Sequence, residues 1–187
     1  MRYFLAIQLP IEVRRHLRAM QLMIAGRLDP LRKIVSWNPI DNFHLTLKFL
    51  GEVDEAQVSA LRRLPEPRAA IAPFSMRIGG PLLLPPYGHI RVISANVLGE
   101  VARARSLAEA LDADCGAIGI AREVRPWLAH VTIGRVRRRL ERCQMPDAEP
   151  GPTFVVNSMA LMSSELRPAG PVYSLIAEFP FTQSPAK

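Results

Sequence analysis

Two short stretches of this sequence have residue types and spacing suited to chemistry: His44-Leu45-Thr46-Leu47 and His130-Val131-Thr132-Ile133. They lie 86 positions apart (130 − 44), close to half of the 187-residue chain. In each, histidine and threonine are two residues apart. On a β-strand both would project from one face, while Leu45 or Val131 between them turns back into the core. An unperturbed imidazole titrates near 6.5, so at neutral pH one ring can accept a proton while another gives one. In-line cleavage of a phosphoester needs both services, a base for the nucleophile and an acid for the leaving oxygen, each worth roughly 10²–10⁴ in rate. The threonine hydroxyls would donate to the non-bridging phosphate oxygens as charge builds there. A lone His-x-Thr is more often an edge histidine beside a surface threonine; two copies in matching halves favour function. The other histidines, His16 and His89, have no threonine two residues on. We read His16 as helix surface and His89 as a structural residue at a strand start.

Other chemistries find no support. There is no His-Glu-x-x-His, no paired-cysteine motif and no tight carboxylate cluster, so no metal is expected. No Gly-x-x-x-x-Gly-Lys-Ser/Thr loop supports ATP use, no Gly-x-Ser-x-Gly elbow appears, and no cofactor is expected. Cys115 and Cys143 make neither a secreted disulfide framework nor a zinc site and read as reduced thiols.

The elements that must position these residues follow from periodicity. Residues 2–8 read as a buried strand, and Val13, Leu17, Met20 and Ile24 after Pro10 recur at helical spacing. Residues 43–50 alternate, with Phe43, Leu45, Leu47 and Phe49 on one face and His44, Thr46 and Lys48 on the other. Lys48 is therefore a candidate substrate-binding residue. Asp54 offers an N-cap to a short helix carrying Val58, Leu61 and Leu64. Strands are expected at 74–78 and 90–97, joined by Gly79-Gly80-Pro81 and a Pro85-Pro86-Tyr87-Gly88 loop. Val101, Ala104, Ala108 and Leu111 mark a helix ending near Gly116. Further strands are expected at 128–134, 154–163 and 172–179, the last two around the turn Arg167-Pro168-Ala169-Gly170-Pro171. Strand, helix and strand recur in both halves with no long linker. This is an α+β protein, residues 1–187 forming one domain of two similar lobes.

Twenty-four Lys and Arg against 17 Asp and Glu give a net charge of +7, which raises the local concentration of phosphates and nucleic acid. The apolar start, Tyr3 to Ile7, is shorter than a signal-peptide core, and no stretch approaches the ~20 apolar residues of a membrane span. A cytoplasmic monomer is expected.

The chain resembles the two-histidine (2H) phosphoesterases, defined by paired His-x-Thr-x motifs, and within them the RNA 2′,3′-cyclic phosphodiesterase (RNA 2′-5′ ligase-like) branch. Phe4 to Pro10 is similar to that branch's opening strand. His44-Leu45-Thr46-Leu47-Lys48-Phe49-Leu50-Gly51, approached through Trp37 and Asn42, is similar to its first motif. His130-Val131-Thr132-Ile133-Gly134-Arg135 is similar to the second, and Ser164 to Tyr173 to the closing signature. The resemblance implies a bilobal fold, with antiparallel sheets lining a central cleft and helices outside. It implies metal-independent hydrolysis of an RNA 2′,3′-cyclic phosphate end to a 2′-phosphate. On the family's assignment His44 is the proton donor and His130 the acceptor; sequence alone assigns either role to either ring. A module that binds an RNA end without turnover, or an enzyme for a small cyclic nucleotide, are the alternatives.

Two departures stand out: Ala129 replaces the proline that usually precedes the second histidine, and Ser94 stands where an aromatic residue is common. Arg135, the trailing arginine of the second motif, would bind substrate. Strict alternation sets it on the face opposite His130, and a bulge at Gly134 is what would turn it back.

Overall fold

A computed structural model of the chain describes all residues except 29–33, 141–143, 146, 148, 168–169 and 183–187. The elements are β1 (Arg2–Gln8), α1 (Ile11–Leu28), β2 (Val35–Trp37), β3 (His44–Glu52), α2 (Glu55–Leu61), α3 (Glu66–Ala69), β4 (Phe74–Leu84), β5 (Val92–Gly99), α4 (Val101–Ala117), β6 (His130–Val136), β7 (Thr153–Val156), β8 (Ser158–Arg167) and β9 (Gly170–Pro180). All strand pairs are antiparallel, in the order β7-β4-β5-β6-β3-β1-β8-β9, with β2 added beside β6.

The two halves repeat one plan. β1–α1–β3 in one matches β5–α4–β6 in the other, and the last strand of each carries a His-x-Thr pair. They are joined in one sheet, where Leu45 of β3 pairs with Val131 of β6. Leu5, Ile7, Leu45, Ala95 and Val131 turn to the core, where Leu17 and Ile24 of α1 and Leu107 and Leu111 of α4 pack with them. β7 pairs with β4 near one end of the strand order and β8 with β1 near the other, yet only Asn157 separates them. Consecutive Cα atoms lie only about 3.8 Å apart, so the sheet must curl until its ends meet. That curl makes the cleft.

The N-cap that the sequence suggests at Asp54 forms, with Gln57 N–H donating to Asp54 Oδ1 at 2.7 Å, and Asp54 N–H donating to Gln57 Oε1 at 3.1 Å completes a capping box. Three expectations need correction. Gly79-Gly80-Pro81 does not end a strand: β4 runs through it, with one extra residue between the Ile78–Val97 and Pro81–Ala95 pairs. Such a bulge is where a strand tolerates proline. The stretch expected as a single strand over 154–163 divides at Asn157, because β7 and β8 belong to different halves. His16 is half-buried rather than surface, its Nε2 enclosed without a partner among the described residues. The short β2 and α3 carry too few residues for a periodic signal. Cys115 is buried, which pushes its thiol up to about 11. Cys143 and the tip of the 167–171 turn lie outside the described residues. Among the described residues no helix is long and apolar enough to cross a membrane.

Candidate active site

The Leu45–Val131 pair fixes the geometry of the cleft. Antiparallel pairing at that point sets His44 opposite Thr132 and Thr46 opposite His130, all four on the face away from the core. The two histidines are thus diagonal neighbours across the ladder, positions that in an antiparallel pair lie roughly 7–8 Å apart. That spacing leaves room for one phosphoryl group between the rings.

Both rings are held in the same way. His44 Nδ1 lies 2.8 Å from the carbonyl of Asn42, and His130 Nδ1 lies 2.8 Å from the carbonyl of Leu128. A carbonyl only accepts, so each Nδ1 carries a proton and each Nε2 is left for chemistry. The surroundings differ. The His44 ring packs on Phe4, centroids 4.7 Å apart, and against the edge of Tyr173 at 5.3 Å. Burial pushes its pKa down to about 4; the Asn42 hydrogen bond opposes this, and the positive charges of Arg135 and His130 add to it. In the free protein at neutral pH, His44 is an uncharged acceptor.

The seam between β3 and β6 is closed mostly by side chains. Trp127, just before β6, donates from Nε1 to the carbonyl of Thr46 at 2.9 Å. Asn38, ahead of β3, donates from Nδ2 to the carbonyl of Thr132 at 2.9 Å. Each half thus grips the other's threonine backbone. Gln21 of α1 adds bonds to the carbonyls of Ile133 at 2.7 Å and Asn38 at 2.8 Å. Asn42 ties the approach to His44 onto the closing strand through the Pro171 carbonyl, at 2.8 Å. Ala129, in place of the usual proline, is buried, and its carbonyl accepts from Val97 N–H at 3.1 Å.

Matching bulges decide which residues share the cleft. On β6, Thr132 faces Ser94 and Gly134 faces Ile93, so Ile133 is an extra residue. On β3, Thr46 faces Ala6 and Lys48 faces Leu5, so Leu47 is extra. A bulge re-aims every side chain that follows. Arg135 is turned onto the histidine face, where its charge adds to the burial that lowers the pKa of His44 and opposes the burial that raises that of Tyr173. The same shift removes Lys48 from the cleft. This corrects the expectation that it binds substrate: its ammonium is buried, 2.6 Å from Asp112 Oδ1 and 2.7 Å from the Ala121 carbonyl. Phe49, expected in the core, is 59% exposed and occupies in β3 the position of Arg135 in β6. Phe4 and Tyr173, which periodicity did not place at the site, flank His44, and Phe49 packs on Phe4 behind them. Laying the two motifs one above the other would have matched Phe49 with Arg135.

A cavity of about 170 Å³ opens at His44, lined also by Gln8, Arg14, Met162 and Tyr173. A larger one, about 420 Å³, lies between α3 and α4, away from both histidines. The arginines there are engaged, Arg68 by Asp114 and Arg103 by the carbonyls of Ala72 and Pro73. Nothing lining it is equipped for acid–base work. Among the described residues, no three His, Cys, Asp or Glu gather as a metal site requires.

Residues 7–93 match a family model described as LigT like Phosphoesterase. An RNA 2′,3′-cyclic phosphodiesterase of Thermus thermophilus is 33% identical over 186 residues, covering 96% of this chain and 89% of that protein. One of Thermotoga maritima is 30% identical, covering 97% and 96%. A crystal structure from Thermus thermophilus superposes with a TM-score of 0.82 at 32% identity, covering 98% of this chain and 99% of that one.

Proposed function

Since the chain belongs to the LigT-like phosphoesterases, a two-histidine phosphoesterase family, we propose that it is an RNA 2′,3′-cyclic 3′-phosphodiesterase opening terminal cyclic phosphates to 2′-phosphates. One observation carries the reading. Two imidazoles, each with Nδ1–H tied to a backbone carbonyl so that Nε2 is left for chemistry, sit on the two strands that pair at Leu45–Val131. In the proposed reaction, His130 Nε2 takes a proton from water as its oxygen bonds to phosphorus. The P–O3′ bond breaks and O3′ leaves with a proton from His44 Nε2. Thr46, Thr132 and Arg135 hold the non-bridging oxygens, whose charge grows in the transition state. A 2′-phosphate and a free 3′-hydroxyl result; His130 then releases its proton to solvent and His44 takes one up, which restores the starting state.

For this assignment His44 must gain a proton that burial denies it in the free protein. The anionic phosphate supplies the compensation, because negative charge nearby favours imidazolium. The low pKa of His44 also favours a second reading with the roles reversed, His44 as base and His130 as acid. The activity is tested by incubating purified protein and EDTA with an oligoribonucleotide ending in a 2′,3′-cyclic phosphate. Quantitative conversion to the 2′-phosphate is expected. Tight binding without ring opening would instead make the protein a binding module. Faster turnover of a cyclic mononucleotide than of the oligonucleotide would move the substrate to small molecules.

A further inference from the structure

Ser94 of β5 lies directly across the ladder from Thr132 and shares its face of the sheet. It is fully buried, and its hydroxyl has no hydrogen-bond partner among the described residues. An unpaired buried hydroxyl destabilises a protein relative to alanine, which fills nearly the same space without the desolvation penalty. The equivalent place in the other half shows the cheaper choice: Ala6 sits opposite Thr46. The two threonines therefore differ in what stands beside them, although their strands, bulges and histidine anchors match.

We propose that Ser94 is a positioning residue for Thr132, donating its hydroxyl hydrogen to Thr132 Oγ1 once a phosphoryl group occupies the cleft. Directly opposed residues bring Cβ atoms to about 4.5–5.5 Å, within reach of a hydroxyl–hydroxyl bond after a rotation about χ1. Thr132 then has one use for each side of its oxygen. Its hydrogen goes to a non-bridging phosphate oxygen, and a lone pair accepts from Ser94. A donor feeding a donor strengthens it, so the Ser94–Thr132–phosphate chain holds the developing charge better than Thr132 alone. The unmet hydroxyl of the free protein is satisfied in the complex. The cost falls on the ground state and the benefit on the occupied cleft.

The inference rests on the phosphodiesterase reading and is tested by a double-mutant cycle with Ser94→Ala, Thr132→Val and the double variant, on a 2′,3′-cyclic-phosphate oligonucleotide. Ser94→Ala should lower kcat by about 3- to 10-fold, one hydrogen bond's worth, with KM within about twofold. It should also raise the melting temperature, which a merely structural serine would not do. In the Thr132→Val background, Ser94→Ala should cost nothing further. Unchanged kcat in Ser94→Ala, or its full loss repeated on top of Thr132→Val, would overturn the coupling while leaving the phosphodiesterase intact. An inactive wild type would instead remove the reading beneath it.

Discussion

His44 and His130 share an anchor but not an environment, and the consequences can be measured ring by ring. Replacing either by alanine should cost about 10²–10⁴ in kcat, the usual worth of a positioned proton transfer. Thr46→Val and Thr132→Val should each cost about 1–3 kcal/mol of transition-state stabilisation, read from kcat/KM. The pH profile carries the sign of the His44 shift. Burial holds this ring near 4, so the acid limb of kcat/KM, which reports the free protein, should fall through about pH 4 rather than 6.5. In kcat, which reports the complex, phosphate charge should move that limb to higher pH. Arg135→Gln removes a positive charge that depresses His44, so its acid limb should also move up. Donor and acceptor separate on a p-nitrophenyl phosphodiester, whose leaving group needs no protonation. There the variant lacking the acid should recover most of its loss, and the variant lacking the base should not.

At the level of strands, the bulges at Leu47 and Ile133 do what alternation could not foresee. They bring Arg135 to the cleft, expose Phe49 and bury Lys48. The sequence shows the period of two up to Thr46 and Thr132. The extra residue after each shows only in the pairing partners, because a bulge is a property of two strands and not of one. Lys48 then links β3 to α4 through Asp112, which also accepts from Arg122 and from Glu123 N–H. Burial alone would raise the Asp112 pKa, but these donors outweigh it and hold the carboxyl at about 2. Lys48→Met should destabilise the fold by about 1–3 kcal/mol at pH 7, since Arg122 and the backbone donor remain. A depressed carboxyl stabilises above its unfolded pKa of 3.8 and loses that contribution as pH falls towards 2. The melting gap between variant and parent should therefore close over that interval. Gly134→Ala would place a methyl 2.9 Å from the Trp37 ring and Val35 Cγ1. Overpacking of this kind costs about 1–3 kcal/mol, and here it would loosen the seam that aligns the histidines.

Across the whole chain, the repeated His-x-Thr pairs and the recurring strand–helix–strand order made the α+β plan and the two halves legible. What composition could not reveal was how one sheet closes on itself. The single-residue link at Asn157 and the seam donors Asn38, Trp127 and Gln21 act between segments far apart in sequence, where no local period marks them. The net charge of +7 acts at this scale too: KM for RNA should rise with salt while kcat holds, as counterions compete with the phosphates. Convergence of the two rings is tested most directly by nitrogen NMR of both imidazoles during titration with a 2′-nucleotide product. Both Nε2 resonances should move together with one dissociation constant, and the pKa of His44 should climb from about 4 as phosphate binds. A response confined to one ring, with the other titrating as in the free protein, would contradict a shared phosphoryl site.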